Sequence, residues 1–180
     1  MNHIPEPDVA WLRDPRASVN RLTVHSTWRS RRPIQMLYST WQVTGVSGTA
    51  AELIERAPQQ RNFEATSVPG ILEFDGEWAR REEEARREAA GAPTADTVRA
   101  SILRREFSLD APLKDASDHG WMMTLTFGGF SGPLYMWVDG AFCGFCPDGF
   151  IPAAFDITDA LQPTQTHEII VLLMDSFEID

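Results

Sequence analysis

The strongest constraint on the fold is an Asp-Gly dipeptide, Asp139-Gly140, that lies between two apolar runs. In the first run, Leu134, Met136 and Val138 alternate with two aromatic residues, which is the period of two that a strand shows. The second run covers 141–145. Asp-Gly is a strong hairpin signal, because a type I′ turn needs positive φ at both central residues. The sequence therefore predicts an antiparallel hairpin over 134–145.

Further segments have the composition of strands. One begins at Trp121, and its alternate residues up to Phe127 fall on one face. Another, 168–174, is apolar at nearly every position, as expected of a strand buried on both sides. Strands are also predicted over 35–46 and 97–109. Together these segments predict an all-β fold, a β-sandwich of the jelly-roll or galactose-binding-domain-like type.

The remainder of the chain divides into an arm and an insertion. Residues 1–34 are turn-rich and have poor periodicity, so we predict an extended arm before a sandwich domain over 35–180. The arm carries large side chains that must pack either on this sandwich or on a partner. The candidates for partner docking are Trp11, Asn20, Arg21, His25 and Trp28. Segment 77–90 consists almost wholly of helix formers with Glu-Arg pairs, which predicts a solvated inserted helix or, alternatively, a partner-docking one.

Composition excludes several classes of function. The chain has 16 basic and 26 acidic residues, for a net charge of −10, and such a protein repels nucleic acid. No apolar run is long enough to span a membrane, and the start has no secretory signal, which favours a cytoplasmic location. Cys143 and Cys146 have redox-motif spacing but end a strand, so we interpret them as small apolar residues. No further ligands at zinc-site spacing accompany them.

Several motifs, in order, resemble the bacterial β-galactosidases of glycoside hydrolase family two. The arm is similar to the opening of those enzymes, with Trp11-Leu-Arg-Asp-Pro15, Asn20-Arg-Leu22, His25 and Trp28. The hairpin resembles the family pattern most closely, as Trp137-Val-Asp-Gly140 and then Cys143-Gly-Phe145, followed by Pro152, Phe155-Asp156 and Leu161. The chain departs from the family at Ser39-Thr40, where Asn-Gly is usual, and at Leu72, where the family has tryptophan.

The resemblance implies the N-terminal sugar-binding domain of such an enzyme. The family's two catalytic glutamates lie on a separate barrel domain, so it implies no catalytic residue here. It also implies an aspartate near the end of the segment that helps to hold sodium and sugar, for which Asp180 and Asp175 are the nearest candidates. No cofactor is expected, apart from Na⁺ or Mg²⁺ as part of a complete enzyme.

Galactoside contacts are predicted from side-chain type. Aromatic rings stack on the apolar face of galactose, which suits Trp137, Tyr135 and Phe145, although alternation places such residues in a core as readily. Asp148 and Asp139 could accept hydrogen bonds from sugar hydroxyls, although aspartate is common in Gly-containing turns such as theirs. Asp180 is a sugar contact only through the resemblance.

Three functions remain open at this point. The first is a carbohydrate-binding domain without the barrel, which binds galactosides or completes a split glycosidase. The second is a structural subunit that docks on a separately encoded barrel or forms a homo-oligomer, and a truncated, non-functional fragment is a further possibility. The third is a free-standing hydrolase, which would need a carboxylate pair; the nearest acids to a buried strand are Glu168 and Glu178.

Overall fold

The computed structural model describes residues 4–14, 16–22, 33–38, 40–66, 97–147, 149 and 152–174. The predicted helix over 77–90 lies outside these residues. The described part of the chain forms two antiparallel sheets, which confirms the predicted all-β sandwich. No described helix is long and apolar enough to cross a membrane.

The nine strands of the described residues divide unequally between the sheets. They are β1 (Arg21–Leu22), β2 (Trp41–Thr49), β3 (Glu64–Thr66), β4 (Thr97–Phe107), β5 (Thr124–Phe127), β6 (Leu134–Val138), β7 (Ala141–Cys146), β8 (Ala153–Asp156) and β9 (His167–Met174). The large sheet has the order β3-β2-β4-β9-β6-β7, and the small sheet has the order β1-β8-β5. Helices α1 (Ala50–Arg56) and α2 (Ala111–Asp118) and a 3-10 turn at Val9–Arg13 complete the described elements that position the site.

The predicted hairpin is confirmed. Asp139 and Gly140 have φ values of 49° and 81°, as a type I′ turn requires, and β6 pairs with β7 on either side of them. A bulge opposite Met136 and Trp137 places Cys143 as the extra residue of β7. All five residues of β6 are buried, because the large sheet is covered on both faces.

Each face of the large sheet has its own core. Between the sheets, Met136 and Val138 pack with Phe155 of β8. On the outer face, Tyr135 and Phe145 pack with residues of α1 and of the N-terminal segment. Burying each large apolar side chain contributes about 1.5–3 kcal/mol, so neither face is dispensable.

Local signals account for the ends of the elements. Thr49 caps α1, and it exchanges hydrogen bonds with Glu52 in a capping box. The strand predicted over 35–46 instead begins at Trp41, because Thr40 has a left-handed φ of 52°. The sequence analysis missed α2, whose N-cap is Asp110.

Trp121 does not lie in a strand. Its backbone N–H donates to Ala116 O at the end of α2, and β5 begins only at Thr124. As a result the Trp121 side chain is 54% exposed, whereas Met123 is buried, so the prediction of one apolar face starting at Trp121 was wrong.

Candidate functional site

The aromatic residues predicted to stack on sugar lie in the core. Tyr135, Trp137 and Phe145 are 0%, 3% and 0% exposed, respectively. Tyr135 and Trp137 stack with ring centroids 6.4 Å apart, and Phe145 lies 4.7 Å from Tyr135. A buried ring has no free face, so the structure favours the core packing that alternation also allowed for these residues, and sugar contact at them stays a prediction. The cause is tertiary, because Trp11 of the arm covers them, 6.2 Å from Tyr135 and 5.5 Å from Phe145.

The described part of the arm packs on the chain's own sandwich. Trp11 contacts the aromatic cluster, and Tyr135 Oη donates to Asp8 O at 2.8 Å. Arg21 lies in β1, where it pairs with Phe155 of β8. These contacts place Trp11, Asn20 and Arg21 on the chain's own sandwich, which is one of the two alternatives for the arm, and docking of these residues on a partner stays a prediction. His25 and Trp28 lie outside the described residues, and the domain boundary at residue 34 stays a prediction.

Asn20 joins the two sheets at this place. Its side-chain Nδ2 donates to Cys143 O on β7 and to Asp156 O on β8, each at 2.7 Å. Its φ of 55° is left-handed, a conformation that asparagine tolerates better than most residues. The backbone of Val19 exchanges two hydrogen bonds with that of Phe145, at 3.0 and 3.1 Å. The Asn-Arg-Leu motif therefore fastens the arm across the edge of the sandwich.

A shallow depression of ≈ 490 Å³ lies beside this arm, between the residues before the 3-10 turn and α1. Its lining includes three carboxylate residues, Glu6, Asp8 and Glu55, together with Trp137 and Gly140. Carboxylates accept hydrogen bonds from hydroxyl groups, so the depression has the chemistry for a polar, hydroxyl-rich ligand. The grouping of these acidic residues could not be predicted from the sequence, because no spacing links positions 6–8 with position 55.

Asp139 holds the hairpin through a second network. His167 Nδ1 lies 2.7 Å from Asp139 Oδ2, and since a carboxylate only accepts, the ring nitrogen donates. Backbone N–H groups of Glu168 and Gln162 donate to the same carboxylate at 2.8 and 3.1 Å. Burial acts to raise the pKa of Asp139, but these hydrogen bonds outweigh it and hold the pKa below its ordinary value.

We therefore expect the Asp139 network to stabilise the fold at neutral pH and to weaken in acid. Because the pKa of Asp139 is lowered on folding, its stabilisation is complete above the ordinary carboxyl pKa of 3.8 and is lost as the pH falls through the lower folded value. Asp139→Asn keeps the side-chain shape and removes the charge, and we expect a loss of about 1.5–3 kcal/mol at pH 7. Urea unfolding of both proteins should show this difference shrinking below about pH 4. Parallel pH profiles of the two proteins would contradict the assignment.

Glu168 does not form an acid/base pair. Arg104 Nε lies 2.5 Å from Glu168 Oε2, and the same guanidinium also pairs with Glu106. Burial acts to lower the pKa of Arg104, but hydrogen bonds to Glu168 and Glu106 outweigh it and raise that pKa. The cation between the two carboxylates makes this cluster an ion-pair network across β4 and β9, without a free general acid. Glu178 lies outside the described residues.

Cys143 and Cys146 are both buried, reduced thiols in the core between the sheets. Burial raises the pKa of Cys143 to about 12, so its thiolate is not available for chemistry near neutral pH. This confirms their interpretation as small apolar residues. Among the described residues, no group of three or more His, Cys, Asp or Glu side chains could hold a metal ion. Asp148 and Asp180, the predicted sugar contacts and sodium candidate, lie outside the described residues.

Comparison with known proteins identifies relatives of this chain. It is 32% identical to the β-galactosidase BgaC of Bifidobacterium adolescentis in an alignment of 183 positions that covers 89% of this chain and 17% of that protein. The chain is homologous to bacterial β-galactosidases. It is 24% identical to the β-galactosidase large subunit of Lactobacillus helveticus, over 87% of this chain and 30% of that protein. No family model matches the chain.

The fold of this β-galactosidase homologue also occurs in solved enzymes. A β-glucuronidase of an uncultured Clostridium species matches 84% of this chain and 24% of its own, with a TM-score of 0.59 and 15% identity. That likeness concerns the fold alone. Together with the match to BgaC, it confirms the predicted resemblance to an N-terminal β-sandwich domain of bacterial β-galactosidases. The chain spans 17% of the length of BgaC, so the β-galactosidase name describes a much larger protein than the residues matched here.

Proposed function

We propose that this chain is the β-sandwich module of a β-galactosidase-type glycosidase and supports a catalytic domain that lies outside these 180 residues. The observation that carries the proposal is its 32% identity to BgaC over 89% of the chain. Galactosides are then the substrates of the assembled enzyme, and the module itself contributes structure. Its cytoplasmic location stays a prediction of the sequence.

The arrangement of the described residues favours a structural role over stand-alone catalysis. The Glu106–Glu168 pair is bridged by Arg104, and the Cys143 thiol is buried with a raised pKa. The two carboxylates are therefore held in an ion pair, and the thiol is not available as the thiolate that nucleophilic catalysis needs. By contrast, the arm, the hairpin and both cores are fixed by buried side chains and direct hydrogen bonds, as befits a rigid scaffold.

A second candidate is galactoside binding by the free chain. The depression beside Trp137 favours it, since Glu6, Asp8 and Glu55 supply hydroxyl acceptors around a volume of ≈ 490 Å³. Titration calorimetry with methyl β-galactoside distinguishes the two candidates. Binding that is abolished by Glu55→Gln supports the second candidate, whereas no heat at millimolar sugar supports the scaffold role alone.

A replacement experiment in BgaC tests the proposed function. Three proteins are compared: intact BgaC, BgaC without the matched 183 residues, and BgaC in which this full chain takes the place of that segment. We expect the deletion to lower kcat/KM on a nitrophenyl galactoside by about 10²-fold or more, because an unsupported active site loses its geometry. The replacement should restore most of the lost kcat/KM.

Adding the full chain to the deletion protein in trans tests the split-enzyme form of the same proposal. Recovery in trans shows that the module acts as a separate subunit, and recovery only in the fused protein shows that it acts within one polypeptide. If neither arrangement recovers activity although the chain shows a cooperative unfolding transition, the proposed function is wrong. A chain without such a transition would instead indicate a non-functional fragment.

A further inference from the structure

Residues 33–38 present a row of exposed apolar side chains. Ile34, Met36 and Tyr38 are 71%, 56% and 55% exposed, respectively. Between them, Gln35 and Leu37 are partly buried, and Leu37 packs against the core between the sheets. The burial pattern thus alternates with a period of two, as in an extended backbone with one face on the protein and the other in solvent. We call Ile34, Met36 and Tyr38 the apolar strip.

The backbone beneath the apolar strip is held in place. The Gln35 side chain donates to Ser108 O and accepts from the backbone N–H of Asp110, both at 2.9 Å. Leu37 O accepts a hydrogen bond from the Trp41 indole at 2.8 Å. These hydrogen bonds hold the backbone of 33–38 in place while the apolar strip faces outward. A partner that binds here therefore does not have to order this backbone.

More apolar surface lies at the other end of α2. Gln35, which lies between Ile34 and Met36 of the strip, is hydrogen-bonded to Asp110, the N-cap of α2. The exposed Trp121 and Met122 follow the end of that helix. At about 1.5 Å per residue, the eight residues of α2 separate the two groups by about 12 Å. Scattered exposed apolar residues are common, but five large ones at the two ends of one short helix make a patch of the kind that marks an interface.

We propose that the apolar strip is the surface through which this module docks on the remainder of a β-galactosidase-type enzyme. The inference rests on the proposed function and adds the place of contact. The matched segment is 17% of BgaC, so more than four fifths of that protein lies outside it and has to be joined to the sandwich. Methionine and aromatic residues are the side chains that interface cores favour. A second copy of this chain is a poorer occupant, because each copy carries a net charge of −10.

Cysteine labelling tests the docking surface directly. The two native cysteines are buried, so Met36→Cys introduces an exposed thiol for a maleimide reagent, read out by peptide mass spectrometry. Ile34→Cys is a second probe in the strip. Val9→Cys is the matched control, since Val9 is 39% exposed and belongs to the 3-10 turn on the opposite face of the large sheet. Each variant is labelled in the free full chain and in the BgaC replacement protein.

We expect the replacement protein to lower the labelling rate of both strip thiols by about tenfold or more, equivalent to about 1.4 kcal/mol, with little change at Val9→Cys. Unchanged labelling at positions 34 and 36 in an active replacement protein would overturn the docking surface and leave the proposed function standing. Protection in an inactive protein would support the surface and count against the proposed function. Strip thiols already protected in a dimeric free chain would identify a second copy as the occupant and overturn the inference.

Discussion

Asn20→Ala is expected to lower the free energy of unfolding by about 2–4 kcal/mol. The substitution removes two hydrogen bonds, to Cys143 O and Asp156 O, that join strands of different sheets. It also leaves those carbonyl oxygens without this donor and places alanine at a left-handed φ of 55°. Urea denaturation followed by tryptophan fluorescence measures the change, with the m-value as a check on two-state behaviour.

Two further substitutions at position 20 separate these causes. Asn20→Gly also loses the side-chain bonds but tolerates the left-handed φ, so it should be about 1 kcal/mol less damaging than Asn20→Ala. Asn20→Asp keeps the shape and the φ tolerance but points a carboxylate at two carbonyl oxygens, so it should be at least as damaging as Asn20→Ala. A loss below about 0.5 kcal/mol for all three would show that the arm does not depend on this residue.

Gly144→Ala is expected to cost about 2–4 kcal/mol, because β7 passes too close to its neighbours for any side chain at this position. An added Cβ would lie 2.6 Å from Cδ1 of Phe155 and 2.7 Å from the carbonyl oxygen of Val19. Phe155 is fully buried and packs edge-on against Phe127, so its ring has no room to retreat. Val19 is held by its paired backbone bonds to Phe145. The new methyl group therefore has to push the arm or the small sheet outward.

The matched control is Gly128→Ala, since a Cβ at Gly128 meets nothing within 4 Å. We expect this variant to unfold within about 0.5 kcal/mol of the wild type. Thermal unfolding of the three proteins should give a clearly lower Tm for Gly144→Ala alone. Equal Tm values for the two variants would mean that the structure accommodates a methyl group at Gly144 without loss of stability. The close approach of β7 to its neighbours would then not limit stability.

Local chemistry made the hairpin and the capped helix predictable. A type I′ turn at Asp139-Gly140 and a capping box at Thr49 depend only on residues a few positions apart. The alternation in β6 could likewise be read directly. What alternation did not reveal is that both faces of β6 are covered, so that Tyr135 and Trp137 both lie in a core.

The end of α2 shows why the prediction failed at Trp121. Its alternation with Met123 is genuine in the sequence, but a helix and a turn reach as far as Gly120, where φ is 74°. Whether an apolar residue beside a strand points inward depends on where that strand begins. That boundary is set here by the hydrogen bond from Trp121 N–H to Ala116 O, which the alternation pattern does not reveal.

Short-range sequence signals were enough to predict the fold class, the hairpin and the likeness to β-galactosidases, although they did not reveal α2. Alternation, turn dipeptides and caps act between near neighbours, and motif order survives divergence, so the sandwich and the β-galactosidase likeness could be recognised without coordinates. Only the tertiary structure decided which side of each element is covered. Asn20 meets Cys143 and Asp156 from more than 120 positions away, and the exposure of Ile34 and Met36 depends on what the rest of the chain leaves uncovered. Burial is a property of the packed whole, whereas secondary structure is largely a property of short stretches.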